Sequence, residues 1–180
     1  MKRRQCLALA CLAAVALPGC AQFYYGDAAG PLWNTNLIDA NYRAIDKMLE
    51  QATLDPSQPV LVATLVHIDR LTESSRLGRV FSEHLAGRLT QRGVRTTELK
   101  LRDKLLMHRD QGELMLSREV REVSQTHNAQ AVLVGTYAAT MPTLYVSLKL
   151  VHPSGNTVMA AYDYALPMDE NVRSLLVSQN

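Results

Sequence analysis

Val60-Leu61-Val62-Ala63-Thr64-Leu65-Val66 is a nearly uninterrupted apolar run, rich in β-branched side chains. A strand with one wet face alternates apolar and polar residues, whereas a run without alternation is covered on both faces. These seven residues therefore predict a central strand. A polar turn with Asp69 and Glu73 follows, and Ser74 or Ser75 is placed to cap a helix whose Leu77, Val80, Phe81, Leu85 and Leu89 form one apolar stripe. Gly93 is suited to end it. Val94 to Leu101 reads as a strand of alternating character, and strand, helix, strand in this order predicts a right-handed parallel crossover.

Upstream, Leu37, Ile38, Ile45, Met48 and Leu49 recur at helical intervals between Asn36 and Ala52, which predicts an amphipathic helix. Asp55-Pro56-Ser57-Gln58-Pro59 stops it, because proline cannot donate to a helix and restricts the residue before it. Downstream, Arg102 to Leu116 mixes charges with Gly112 and predicts a loop or short helical pieces, a kind of segment in which function often sits. Ser117 can cap a helix that turns Val120 and Val123 inward and ends near Asn128. Ala131 to Tyr137 (AVLVGTY) is again a buried strand. Leu144 to Val151 and Val158 to Leu166 pair across His152-Pro153-Ser154-Gly155-Asn156 as a hairpin, and a short helix follows from Glu170 to Val177. The expected fold is α/β, one domain over residues 36–180 with a mixed five-stranded sheet flanked by helices.

The N-terminus has a different character. Lys2, Arg3 and Arg4 precede an uncharged run from Cys6 to Ala16, which ends in Leu17-Pro18-Gly19-Cys20. The run is shorter than the about 20 apolar residues of a membrane-spanning helix and fits the roughly 7–15 of a signal peptide's core. Residues 1–19 are expected to be a signal that is removed. Leu17, Gly19 and Cys20 match the lipobox of bacterial lipoproteins, with Pro18 departing from its commoner residues. Cys20 is the expected lipidation site, the alternative being an unmodified cysteine near a cut at another small residue. Two or more acyl chains give stable anchoring, and Ala21 in place of aspartate resembles an outer-membrane address on the periplasmic face. Residues 20–35, with Gly26, Gly30 and Pro31, read as a tether. Its Phe23, Tyr24 and Tyr25 can rest at the membrane interface or dock on the domain or a partner.

Removal of the signal changes the charge balance. Three of the 19 basic residues go with it, leaving 16 against 17 acidic ones. The clustered Lys and Arg of a nucleic-acid footprint are missing, so no nucleic-acid partner is expected. Cys6 and Cys11 leave too, and with Cys20 lipidated no internal disulfide remains.

The sequence lacks G-x-S-x-G, H-E-x-x-H, a P-loop and Cys-x-x-Cys. His67 and Asp69 lie two apart at a strand end and can point the same way, but two residues do not make a metal site. They also read simply as a turn after a buried strand. His84 sits beside the apolar stripe of its helix and reads as a boundary residue. His108, His127 and His152 form no recognised spacing. Glu83, Asp103 and Glu113 can in principle converge for acid–base work, or stand as solvated charges. Missing motifs do not exclude catalysis, but no catalytic residue, cofactor or metal is expected from these residues. Gly78 and Gly87 lie inside the second helix, where each costs about 1 kcal/mol relative to alanine. They imply either close packing of helix on sheet or a smooth candidate surface for a neighbouring subunit, including another copy of the chain.

Val62-Ala63-Thr64-Leu65-Val66-His67-Ile68-Asp69, Ser74 to Arg79 (SSRLGR), Gly112 to Val120 (GELMLSREV), Ala129 to Tyr137 (AQAVLVGTY) and Ala161 to Pro167 (AYDYALP) together resemble the FlgO family of outer-membrane lipoproteins. The resemblance runs from Val60 to Leu176, leaving the first helix and the tether outside. It implies no enzyme activity, and a fold like the small α/β domains at the N-terminus of TolB. It also implies an accessory or assembly role at the bacterial flagellum, in motility, with protein partners in the periplasm that include basal-body components. A scaffold or activator of another envelope machine, for secretion or peptidoglycan synthesis, is the alternative. A periplasmic enzyme is the third.

Overall fold

The computed structural model describes residues 36–71, 75–99 and 118–176. Cys20, the tether and the Arg102 to Leu116 segment lie outside these residues. Helix α1 (Leu37–Leu49) starts where Asn36 accepts the Asp39 backbone N–H at 3.0 Å, with Asp39 in the first turn and Lys47 in the last. Both charges complement the helix dipole. Strands β1 (Val60–Ala63) and β2 (Val66–His67) follow, then helix α2 (Arg76–Gln91) and strand β3 (Thr96–Leu99). Helix α3 (Arg118–Thr126), strands β4 (Ala131–Ala139), β5 (Thr143–Val151) and β6 (Val158–Pro167), and helix α4 (Glu170–Leu176) complete the order.

The sheet runs β3-β1-β4-β5-β6, with β2 pairing β4 beyond the end of β1. β1 is parallel to both β3 and β4, and the last three strands are antiparallel. The expected parallel β1-α2-β3 unit and the β5-β6 hairpin are both present. Ser75 caps α2 by accepting the Gly78 N–H at 3.0 Å, and Gly93 ends that helix at φ +81°. Asn128, at φ +49°, follows α3 in the same left-handed region.

All four residues of β1 are buried, and the pleat divides them between two cores. Val60 and Val62 join Leu133, Leu144 and Leu148 beneath α1 and α2, around Ile45, Leu77, Phe81, Leu85 and Leu89. Leu61 and Ala63 join Val132, Val134 and Val151 in a smaller cluster on the other face, against Val123 of α3. Each fully buried Leu or Phe contributes about 1.5–3 kcal/mol of transfer free energy, so the α1–α2 side carries most of the stability.

The single strand expected over Val60–Val66 is divided into β1 and β2, which makes the sheet six-stranded by count. The cause is α2. The Leu65 N–H is accepted by Ser82 Oγ at 3.0 Å, and the Ser82 hydroxyl lies 3.1 Å from the Ala63 carbonyl. A helix side chain thus satisfies backbone groups that the ladder would otherwise need. Gly78 makes the approach possible, since a Cβ there would stand 2.0 Å from the Leu65 carbonyl oxygen.

The loop after α1 is held by Gln130, the residue before β4. Gln130 accepts the Asp55 N–H at 2.7 Å and donates to the carbonyls of Asp55 and Gln58 at 2.7 and 2.6 Å. Pro56 lies in a turn closed by the Gln58 N–H on the Asp55 carbonyl at 3.1 Å, and Gln130 fixes that turn beside the start of β4.

Candidate interaction surface

The cross-strand register aligns two rows of side chains on the face of the sheet opposite α1 and α2. Thr136, Ser147 and Asp163 are opposite one another across β4, β5 and β6, and Ala138, Tyr145 and Ala165 form the next row. With Ile68, just beyond β2, they line an open, mainly apolar groove of about 490 Å³. Small side chains make its floor, while Tyr145 (53% exposed) and Ile68 (50% exposed) stand at its sides. Two large apolar residues left in water around a floor of small side chains are what a protein-binding surface presents. Asp163 gives the groove an anionic edge, with no ion pair among the described residues.

The polar groups elsewhere serve the fold. Asn41, wholly buried in α1, accepts a hydrogen bond from the Tyr164 hydroxyl and lies 3.3 Å from His84 Nδ1. Burial pushes the Tyr164 phenol far above its ordinary value and draws His84 below its own. Both groups are therefore neutral at pH 7 and act as hydrogen-bonding members of the core. Asp46 joins the two helices, accepting from Arg92 Nε at 2.7 Å and from Arg88 Nε and Nη2 at 3.0 and 2.7 Å. Arg92 first, then Arg88, holds its carboxyl far below the usual carboxylate range. Arg88 also lies 5.0 Å from the centre of the Tyr42 ring, a cation–π contact.

His67 packs edge-on against Tyr137 with ring centroids 5.3 Å apart, and its Nδ1 accepts the Asp69 N–H at 3.1 Å. The Asp69 carboxylate lies 3.6 Å from the same nitrogen. Tyr137 in turn donates to the Ser75 cap at 2.6 Å. The pair thus closes the turn between β2 and α2. Among the described residues, no three His, Cys, Asp or Glu side chains stand together as metal ligands would. Glu83, His127 and His152 are exposed and apart, whereas Asp103, His108 and Glu113 lie outside the described residues. The two helix glycines differ. Gly78 is buried under the β1–β2 connection, and at Gly87 no heavy atom of the described residues lies within 4 Å of where a Cβ would be.

The groove is not predicted by the sequence patterns. Its signal was Tyr145, a large aromatic at the polar phase of the Leu144–Leu150 alternation.

The family model described as "FlgO protein" matches residues 42–171. The chain belongs to the FlgO family. The match begins inside α1, so this helix, which the sequence reading left outside, is in large part a piece of the FlgO domain. It packs against α2 and β6. Among curated proteins none matches by sequence. Among solved structures, the chain is similar to the C-terminal domain of LpoB from Salmonella enterica, with 16% identity and a TM-score of 0.51, over 73% of this chain and 98% of that one. The LpoB C-terminal domain from Escherichia coli is similar at 14% identity and the same TM-score, over 73% and 98%. At such identity the likeness concerns the fold, which the FlgO chain shares as a mixed α/β domain.

Proposed function

We propose that this FlgO-family chain is a non-enzymatic lipoprotein of the bacterial envelope and an accessory or assembly component of the flagellum. In this reading residues 1–19 are removed and Cys20 is acylated. Residues 20–35 then tether the domain to the periplasmic face of the outer membrane. The family match over residues 42–171 carries the reading, and Leu17-Pro18-Gly19-Cys20 supports the anchor. Among the described residues no helix is long and apolar enough to cross a membrane.

The mechanism is positional. Lipid confines the domain, so a modest contact suffices because effective concentration is high. The groove beside Tyr145 and Ile68 takes an apolar segment of a periplasmic protein, and Asp163 selects one that carries a Lys or Arg. Gly87 offers a second, smoother surface on α2.

A deletion strain tests the flagellar role. Loss of swimming or malformed flagella is expected, restored by the wild-type gene but poorly by Cys20→Ser or by Tyr145→Ser with Asp163→Asn. Labelled palmitate should enter the wild-type protein and not Cys20→Ser. Normal swimming with normal flagella would remove the flagellar reading. It would favour a scaffold or activator of a secretion or peptidoglycan-synthesis machine, which predicts co-purification with that machine.

A further inference from the structure

We propose that the outer edge of β6 pairs with the same edge of a second copy of the chain, antiparallel and centred on Tyr164. β6 is the last strand of the sheet. Along an edge strand alternate residues direct N–H and C=O outward. The Ala161 N–H points outward, because Gln51 Oε1 accepts it at 3.1 Å. Asp163, Ala165 and Pro167 share its phase.

This edge is closed at both ends and open in the middle. Gln51 occupies the Ala161 donor. Pro167 has no N–H, and its carbonyl accepts the Asp169 N–H at 3.0 Å. Between them, the outward N–H groups of Asp163 and Ala165 have no hydrogen-bond partner among the described residues. Two open residues flanking one inward residue make a window that is complementary to itself under a two-fold axis through Tyr164. Asp163 then lies opposite Ala165 of the second copy and Ala165 opposite its Asp163. Each pair exchanges two N–H···O=C bonds, four in all.

Neighbouring registers fail on the same residues. An axis through Asp163 sets two carboxylates directly opposite, which is destabilising. An axis through Ala165 sets Asp163 against Pro167, which lacks the donor. The Tyr164 register uses both open donors and neither closed position. Asp163 and Ala165 also line the groove, so pairing sets two grooves side by side across the axis.

The test uses the full chain in intact cells that also carry a differently tagged wild-type copy. A photoreactive benzoylphenylalanine at Ala165 is expected to yield an adduct of twice the chain mass holding both tags, and the same probe at Lys149, on an inner strand, at least tenfold less. An adduct with a different protein would overturn the second copy as occupant. No adduct would overturn the edge as an interface. Charge exchange then tests the register with the probe at Ala161 and the same changes carried by both tagged copies: Ala165→Asp sets carboxylates opposite and should lower the adduct at least tenfold, and Asp163→Lys with Ala165→Asp should restore it. Both positions are exposed, so folding is unaffected and is checked by circular dichroism. Equal yields from all three chains would overturn the Tyr164 register.

Discussion

Ser82 Oγ on α2 accepts the backbone N–H of Leu65 at 3.0 Å and stands in for a neighbouring strand at the break between β1 and β2. The same hydroxyl lies 2.9 Å from the Gly78 carbonyl and 3.1 Å from that of Ala63. The chain can therefore leave the sheet at Thr64 without stranding a buried amide. Ser82→Ala removes the acceptor. It should lower the unfolding free energy by about 1–3 kcal/mol, the cost of an unsatisfied buried group. A lower urea midpoint at unchanged slope would report it. An unchanged midpoint would mean that water replaces the hydroxyl.

Gly78 and Gly87 occupy the same helix and should respond in opposite directions to alanine. A Cβ at Gly78 would lie 2.0 Å from the Leu65 carbonyl oxygen, a backbone atom that cannot swing aside, whereas at Gly87 the space among the described residues is open. Gly78→Ala should destabilise by about 1–3 kcal/mol or more through overpacking. Gly87→Ala should stabilise by up to about 1 kcal/mol through helix propensity. Thermal unfolding of the two variants checks both signs together.

The contrast marks what could be read from the sequence. Alternation and apolar runs placed β1, β4, β5, β6 and the stripe of α2, because each residue's burial there depends on its own phase. They could not divide Val60–Val66, because the division is made by Ser82, a residue 17 positions beyond Leu65. Nor could they find the buried Asn41, whose partners Tyr164 and His84 come from β6 and α2. The groove failed to appear for a similar reason. Thr136, Ser147 and Asp163 become a row only through the β4-β5-β6 register, which no single strand contains.

Asp46 should make stability depend on pH in the acid range. Its carboxyl is held far below the usual carboxylate range by Arg92 and then Arg88, so the folded state keeps the charge to lower pH than the unfolded chain does. The sign follows: the stabilisation is full above the unfolded value and is lost as pH falls toward the folded one. Asp46 and Arg88 are about three-quarters covered and Arg92 about half. After allowance for solvent screening, Asp46→Asn should cost about 1–2 kcal/mol at neutral pH. The gap between wild type and Asp46→Asn should narrow below about pH 4. Urea unfolding across that range tests it, and a constant gap would assign the loss to packing.

The last prediction concerns the Asn41 contact with Tyr164. Asn41 is 0% exposed, and the Tyr164 hydroxyl is the donor to its Oδ1. Tyr164→Phe leaves that oxygen buried without a donor and should cost about 1–3 kcal/mol. Changing both partners to apolar groups strands neither of them, and only His84 Nδ1 then loses its Asn41 contact. Tyr164→Phe with Asn41→Leu should therefore lose less than the two single variants added together. The non-additivity, measured as a double-mutant cycle, separates a hydrogen-bonded pair from two residues that merely fill space. Additive losses would mean that Asn41 and Tyr164 contribute to the α1–β6 contact independently. α1 would then be held by its apolar side chains and by the Asp46 bridge to α2.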